Sequence, residues 1–397
     1  MRDEGLLALA RKPRNEGQMN TVETILALLQ EDALFSQPWE QKRHQTALLT
    51  QALRSLSPEE AKRLIQWLLH QWEQLRQTDW LLGQVNATVP GALHPFHAAL
   101  IERQVFYPGW LYLGAAASTR QELLRLVHEP ANDQRRRDLV LCLAWIGDEV
   151  VQTQFQTWQS APPAWQHSWP YGPLETYPLC AGWELTPAGH RRRLYAQQAF
   201  ELVLPSERIQ QRNSSFGMRT SHEEACHWCQ RPLITLLDLD LSDPRGAAVV
   251  ASGARLRIAL CEWCSQYVPV FTDVDLAGAS HWSGVNGEPP ALLRKIGFGP
   301  SGNLYDWPEQ RLILGAERRT PFETLGRFML GELGISQVGG HPEWVQDPEY
   351  PTCPTCSRRM PCIGQVAWED LEEAMEGVTY AFLCLSCQKA TTCYQQT

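Results

Sequence analysis

The chain has no excess of positive charge, no run of about eighteen apolar residues and no glycine-rich phosphate loop, and each absence removes a class of function. Lysine plus arginine number 35 against 44 aspartate plus glutamate, so the formal charge of -9 argues against a general nucleic-acid or anionic-membrane binder, which normally carries a basic excess. Without a long apolar run, no membrane-spanning helix is expected. The start, Met1-Arg2-Asp3-Glu4-Gly5, lacks a cationic segment leading into an apolar core, so no secretory leader is predicted and the cytoplasm is the expected compartment. No His-Glu-x-x-His pair and no nucleophile elbow occurs either, and the expectation is a protein that is not an enzyme.

What is present is cysteine, placed in pairs. Cys226-His227-Trp228-Cys229 and Cys261-Glu262-Trp263-Cys264 form one set, and Cys353-Pro354-Thr355-Cys356 with Cys384-Leu385-Ser386-Cys387 a second, which accounts for eight of the 12 cysteines. Two C-x-x-C pairs can bring four thiolates to one tetrahedral centre, the ligand set and approximate spacing of structural zinc. Two zinc ions are therefore predicted, on Cys226, Cys229, Cys261 and Cys264 and on Cys353, Cys356, Cys384 and Cys387. A closed four-thiolate site leaves no position for water, so hydrolytic chemistry is not expected there. Redox chemistry favours one pair near a helix start rather than two facing pairs.

The two sets read as copies of one unit. Arg231-Pro232-Leu233 falls where Arg358-Arg359-Met360 falls, and Leu256 to Leu260 falls where Thr379 to Leu383 falls, so an internal duplication is the economical account. Each copy reads as a knuckle, a strand leaving it, an excursion, a strand returning and a second knuckle. Zinc knuckles often carry glycine just after the second cysteine; here those positions are Gln230, Ser265, Ser357 and Gln388, which predicts less regular turns.

At 397 residues the chain exceeds one ordinary core, and 44% hydrophobic residues support globular folding. The predicted class is α+β multidomain: an α-helical N-terminal domain, HEAT-like or an irregular bundle, and a C-terminal duplicated β-rich domain carrying the two zinc-ribbon-like sites. Residues 1–18 read as a disordered extension, with Met1 or Met19 as the start, 19–204 as the helical domain, 205–221 as a polar linker and 222–397 as the β-rich domain. Ser57-Pro58-Glu59-Glu60 has the acceptor, proline and acids of a helix start, and Asp138 to Trp158 reads as helix, Gly147-Asp148 turn and capped helix. A final helix is predicted over 188–204 and another over 321–333. A turn-rich loop is predicted over 297–303.

Gly339-Gly340-His341-Pro342-Glu343-Trp344-Val345-Gln346, the following knuckle, Met360, Gln365 and Tyr380-Ala381-Phe382-Leu383-Cys384 resemble the YwqG-like family, a bacterial domain of unknown biochemical activity, over roughly residues 216–397. That resemblance implies a link to polymorphic-toxin immunity, hence a protein partner such as a cognate toxin. Leu143 to Val151 resembles the junction of a HEAT-type repeat. The predicted function is a cytosolic immunity protein that binds its toxin; the alternative is a zinc-ribbon module contacting nucleic acid or a transcription complex.

The remaining chemistry-bearing residues have ordinary readings beside functional ones. Cys362, Cys393, Cys142 and Cys180 read as packed core. His227 reads as a solvent-facing knuckle residue, and His341 as a site residue or a turn packed by Trp344. Asp238, Asp240 and Asp243 read as a solvated strand end, and Glu369 to Glu373 as a helix face. Ten of the 16 tryptophans precede residue 205; most are expected in the core, with an exposed subset as a partner surface.

Overall fold

Capping chemistry sets the helices of the first half. They are α1 (Thr21–Gln30), α2 (Trp39–Arg54), α3 (Pro58–His70), α4 (Thr78–Thr88), α5 (His97–Glu102), α6 (Ala117–Val127), α7 (Asp133–Ile146), α8 (Glu149–Ser160) and α9 (Tyr177–Cys180). At the start of α3 the Ser57 side chain accepts from the Glu60 backbone N–H, while the Glu60 carboxylate accepts from the Ser57 N–H. This reciprocal pair satisfies donors that a helix start leaves unmatched. Leu64, Ile65 and Leu68 then share the buried face. Asn132 caps α7, which begins five residues before the expected Asp138; as the sequence predicts, Gly147 ends it in the left-handed region at φ 53° and Asp148 caps α8 by accepting from the Val151 N–H. The computed structural model describes residues 21–30, 38–72, 77–168, 170, 172–205, 216–297, 310–372 and 375–396. The expected extension over 1–18 with Met19, residues 206–215 of the expected linker and 298–303 of the expected loop lie outside them. No helix among the described residues is long and apolar enough to cross a membrane.

A hairpin of β1 (Trp183–Leu185) and β2 (Arg191–Arg193) precedes one 11-stranded sheet. Its strands are β3 (Ala196–Val203), β4 (Phe216–Ala225), β5 (Pro232–Asp240), β6 (Arg255–Leu260), β7 (Phe271–Val274), β8 (Ser280–Trp282), β9 (Gln310–Arg319), β10 (Gln337–Gly340), β11 (Cys362–Ala367), β12 (Val378–Cys384) and β13 (Lys389–Gln395). The order is β6-β5-β4-β9-β3-β10-β11-β12-β13-β7-β8. The sheet curls on itself: the Ala254 and Arg255 N–H groups donate to the Leu276 carbonyl, so β6 meets the far end of the sheet. Side chains of β5, β6, β9, β11 and β12 accordingly share one core. β12 is buried along its length because its alternate residues face two cores, Ala381 and Leu383 one, Tyr380 and Phe382 the other. The α+β layout is thus as expected, helices first and a sheet carrying both four-cysteine sets after.

Three expectations are corrected. The stretch predicted as a helix over 188–204 is β2 and β3; its Ala, Gln, Glu and Leu content favours helix, but pairing with β9 on one side and β10 on the other overrides that preference. The stretch 321–333 is a chain of turns, because Gly326 and Gly331 sit at φ 84° and 66°, incompatible with an α-helix. The division at 205–221 into a helical and a β-rich domain fails on both sides: β3 lies mid-sheet, β4 begins at Phe216, and Leu325 packs in the core of the helical half.

Candidate metal centres and an aromatic cavity

The strand pairings bring each cysteine set together. Cys226 and Cys229 turn the chain from β4 to β5, and Cys261 and Cys264 follow β6; antiparallel pairing with Ile234 opposite Leu260 sets the two turns side by side. In the second copy, Cys353 and Cys356 precede β11, Cys384 ends β12, Cys387 leads into β13, and Cys362 lies opposite Phe382. The first knuckles are alike in hydrogen bonding. Cys226 N–H donates to the Arg231 carbonyl at 2.8 Å and Cys353 N–H to the Arg358 carbonyl at 2.8 Å, while the Gln230 and Ser357 N–H groups return to the Cys226 and Cys353 carbonyls. That correspondence fits the duplication read from the sequence.

Within each set the four sulfurs lie within 4.8 Å of one another. Cys226 and Cys264 Sγ are 3.8 Å apart, Cys229 and Cys261 3.4 Å, and Cys356 and Cys384 3.7 Å. A tetrahedron with metal–sulfur bonds of about 2.3 Å has edges of about 3.8 Å, so both donor sets suit one ion each. A disulfide, at about 2.05 Å, is excluded by these separations. The first set is the more enclosed, with Cys226, Cys261 and Cys264 buried; in the second, Cys356 and Cys387 are half-buried. Hydrogen bonds, that from Cys226 first, pull the Cys229 thiol well below its ordinary value, and the bond with Cys226 pushes Cys264 up. Four crowded sulfurs share few negative charges unless a cation joins them. At the second set Arg358 Nε lies 3.5 Å from Cys356 Sγ and holds that thiol down to about 6.

The other singled-out residues divide clearly. Cys362 and Cys142 are buried, with Cys142 Sγ donating to the Phe106 carbonyl at 3.1 Å, and Cys393 Sγ donates to Glu349 at 2.7 Å. His227 is exposed and stacks on Trp282 at 4.9 Å, outside the sulfur cluster. Asp238 pairs with Arg255 and Arg257, Asp240 accepts from the Ser242 N–H, and Asp243 caps a short helix, α10 (Pro244–Val249). Within the expected 369–373 helix face, of which Glu373 lies outside the described residues, Asp370 is not solvated: it is buried and accepts from the Gly334 and Ser336 N–H groups at 2.6 and 2.7 Å.

None of the described tryptophans is exposed. Several instead line a cavity of about 900 Å³ between the helices and the sheet. Trp80, Tyr107, Trp110 and Trp145 reach it from the helical half, and the stretch His341 to Pro348 lines the opposite side. His341 is wholly buried against Trp145 at 4.8 Å and Tyr195 at 5.2 Å, with Nδ1 donating to the Pro342 carbonyl at 2.7 Å; burial pulls its pKa down to about 4, so the ring is neutral. Burial pushes Glu343 up to about 8 although its carboxyl accepts from the Gly326 N–H. Sequence reading reached His341 and Trp344 but not the cavity, whose other walls are distant in the chain.

The chain is 38% identical over 288 residues, 71% of its own length, to the uncharacterized protein YpfL of Salmonella typhimurium, and spans 64% of that protein's length. No protein-family model matches the chain. No solved structure matches it.

Proposed function

We propose that this is a cytoplasmic, non-enzymatic protein-binding protein in which two structural zinc ions brace the sheet. The observation that carries the reading is the closure of both cysteine sets: four sulfurs at tetrahedral spacing leave an ion no open position for substrate or water. Thiolates select soft or borderline metals, and zinc favours this geometry without redox chemistry. Each ion would join two turns that strand pairing sets side by side, acting as a brace rather than a catalyst. Protein purified without added metal should contain two zinc per chain; a content near zero, or the visible absorption of an iron–sulfur cluster, defeats this part.

The finer reading is toxin neutralisation, supported by the resemblance of the Gly339 to Gln346 stretch and the second knuckle pair to the YwqG-like family. A neutraliser must cover its target over an interface of standard size with aromatic anchors at its centre. The helical half, HEAT-like in its α7–α8 turn, and the sheet would both contribute. Co-purification of the full chain with the product of the adjacent gene tests it: a stable complex that protects cells from that product is expected. Absence of any complex, or strong DNA binding at physiological salt, removes the immunity reading in favour of the zinc-ribbon alternative, against which the charge of -9 already counts.

A further inference from the structure

The cavity between the helices and the sheet is lined by aromatic and charged side chains that zinc bracing does not use. Trp80 meets Tyr107 edge-on at 5.8 Å and 82°, and Trp110 at 5.0 Å and 66°. Rings at such angles form adjoining walls rather than a flat stack, and Trp344 lines the cavity from the sheet half. Tyr107 is 44% exposed, so its ring is reachable from solvent.

The charges around this box are unequal. Asp347, exposed on the rim, and Arg137 both line the cavity, and Asp79 and Asp138 act electrostatically on the Tyr107 hydroxyl beside it. Arg137 lies 3.3 Å from Asp138, so its charge is matched within the protein, and Asp79 accepts from the Trp80 N–H, leaving Asp347 as the acid of the rim. The wall also shows what chemistry it accepts: the Arg137 guanidinium sits over the Tyr107 ring, 6.0 Å from its centroid. Aromatic faces carry negative potential and attract cations, more strongly where water is partly excluded. An anionic ligand would meet Asp347, and a purely apolar one would leave that carboxylate unmatched.

We infer that this cavity receives a basic side chain, arginine or lysine, of a partner protein, with Trp80, Tyr107, Trp110 and Trp344 enclosing the cation and Asp347 matching its charge at the rim. A volume of about 900 Å³ also accommodates the backbone flanking that anchor. The inference rests on the protein-binding reading and specifies its contact chemistry. Lining residues from both halves make the site sensitive to how they dock.

The test uses the purified full chain titrated with blocked tripeptides, acetyl-Gly-X-Gly-amide with X as Arg, Lys, Leu or Glu, followed by tryptophan fluorescence and by indole N–H signals in NMR. The Arg and Lys peptides should give saturable changes that weaken with salt, while Leu and Glu peptides give none. Tyr107→Ala and Asp347→Asn, both at exposed positions, should keep the wild-type circular dichroism and metal content yet bind at least about tenfold more weakly, the loss of a cation–π wall or its counter-charge. No response to Arg or Lys, an equal response to Leu, or unchanged affinity in both variants overturns the inference. The two readings fail separately. A complex with the neighbouring gene product alongside silent Arg and Lys peptides sinks the cavity alone, and peptide binding without that complex sinks toxin neutralisation alone.

Discussion

At the residue scale, the knuckle turns show a backbone demand met by unsuited side chains. Gln230, Ser357 and Gln388 follow the second cysteine of their pairs and occupy the left-handed region at φ 63°, 57° and 53°, where glycine is the unstrained residue. The turns are therefore more regular than their sequence suggests, and strand pairing holds them. Gln388 is exposed, so Gln388→Gly should stabilise the protein by about 0.5–1 kcal/mol, relief of left-handed strain outweighing glycine's greater freedom when unfolded. Ser265 does not adopt a positive φ, so Ser265→Gly should give no gain. Urea midpoints at unchanged slope measure both. Glu343 offers a second residue-scale outcome. Its folded pKa of about 8 stands above the ordinary carboxylic value of 4.5, so between those values the folded state holds a proton that the unfolded state has lost. Stability from this group is therefore full below 4.5 and falls as pH rises toward 8, by an amount on the order of a few kcal/mol. Glu343→Gln keeps an acceptor for the Gly326 N–H and should flatten that decline; urea unfolding at the two ends of the window reads the difference, and an unchanged slope in the variant would refute the assignment.

At the element scale, the most constrained piece is β10, four residues between β3 and β11 in mid-sheet. Gly339 sits at φ 73°, and a Cβ there would lie 2.0 Å from the Gln198 carbonyl oxygen, a backbone atom that cannot move aside without opening the β3–β10 pairing. Gly339→Ala should therefore cost about 3 kcal/mol or more and lower soluble yield, whereas Gly284→Ala, which meets nothing, should be near neutral. Thermal midpoints of the two variants check this. Elements with local chemistry were legible in the sequence: the capped start at Ser57, the Gly147-Asp148 turn, and the cysteine turns with the strands joining them. β3 was not legible, since Ala-Gln-Gln-Ala-Phe-Glu-Leu-Val carries helix propensity and only its neighbours make it a strand. Nor was the turn chain over 321–333, where two glycines interrupt an apolar spacing that suits a helix. The cavity was hidden for a third reason: its walls are assembled from α4, residues 107–110, α7 and residues 341–348, and no local pattern announces that they meet.

At the scale of the whole molecule, the two halves are joined by charge as well as by apolar packing. Arg54 at the end of α2 pairs with Glu201 on β3 at 3.0 Å and with Glu323 at 2.7 Å, and Arg319 on β9 meets the same two carboxylates at 3.0 and 3.4 Å. Arg319 and Glu323 are almost wholly buried, so removing one side of this network strands charges that water cannot reach, typically a loss of about 3–5 kcal/mol. Gln84 on α4 adds a bond to Glu332 at 3.0 Å, and Thr320 donates to the Ala87 carbonyl at 2.6 Å. A fragment of residues 1–204 keeps β3 without its neighbours, and a fragment of residues 216–397 must pair β9 and β10 without β3. Neither should fold alone. The expected outcome is that 1–204 aggregates or shows sharply reduced tryptophan signal dispersion, and that 216–397, even with zinc supplied, lacks cooperative unfolding. Co-expression of the two should restore a soluble complex, because the β3 pairings and the arginine–glutamate network form across the break. Cooperative unfolding of either fragment by itself would show that the shared strand and shared charges are dispensable.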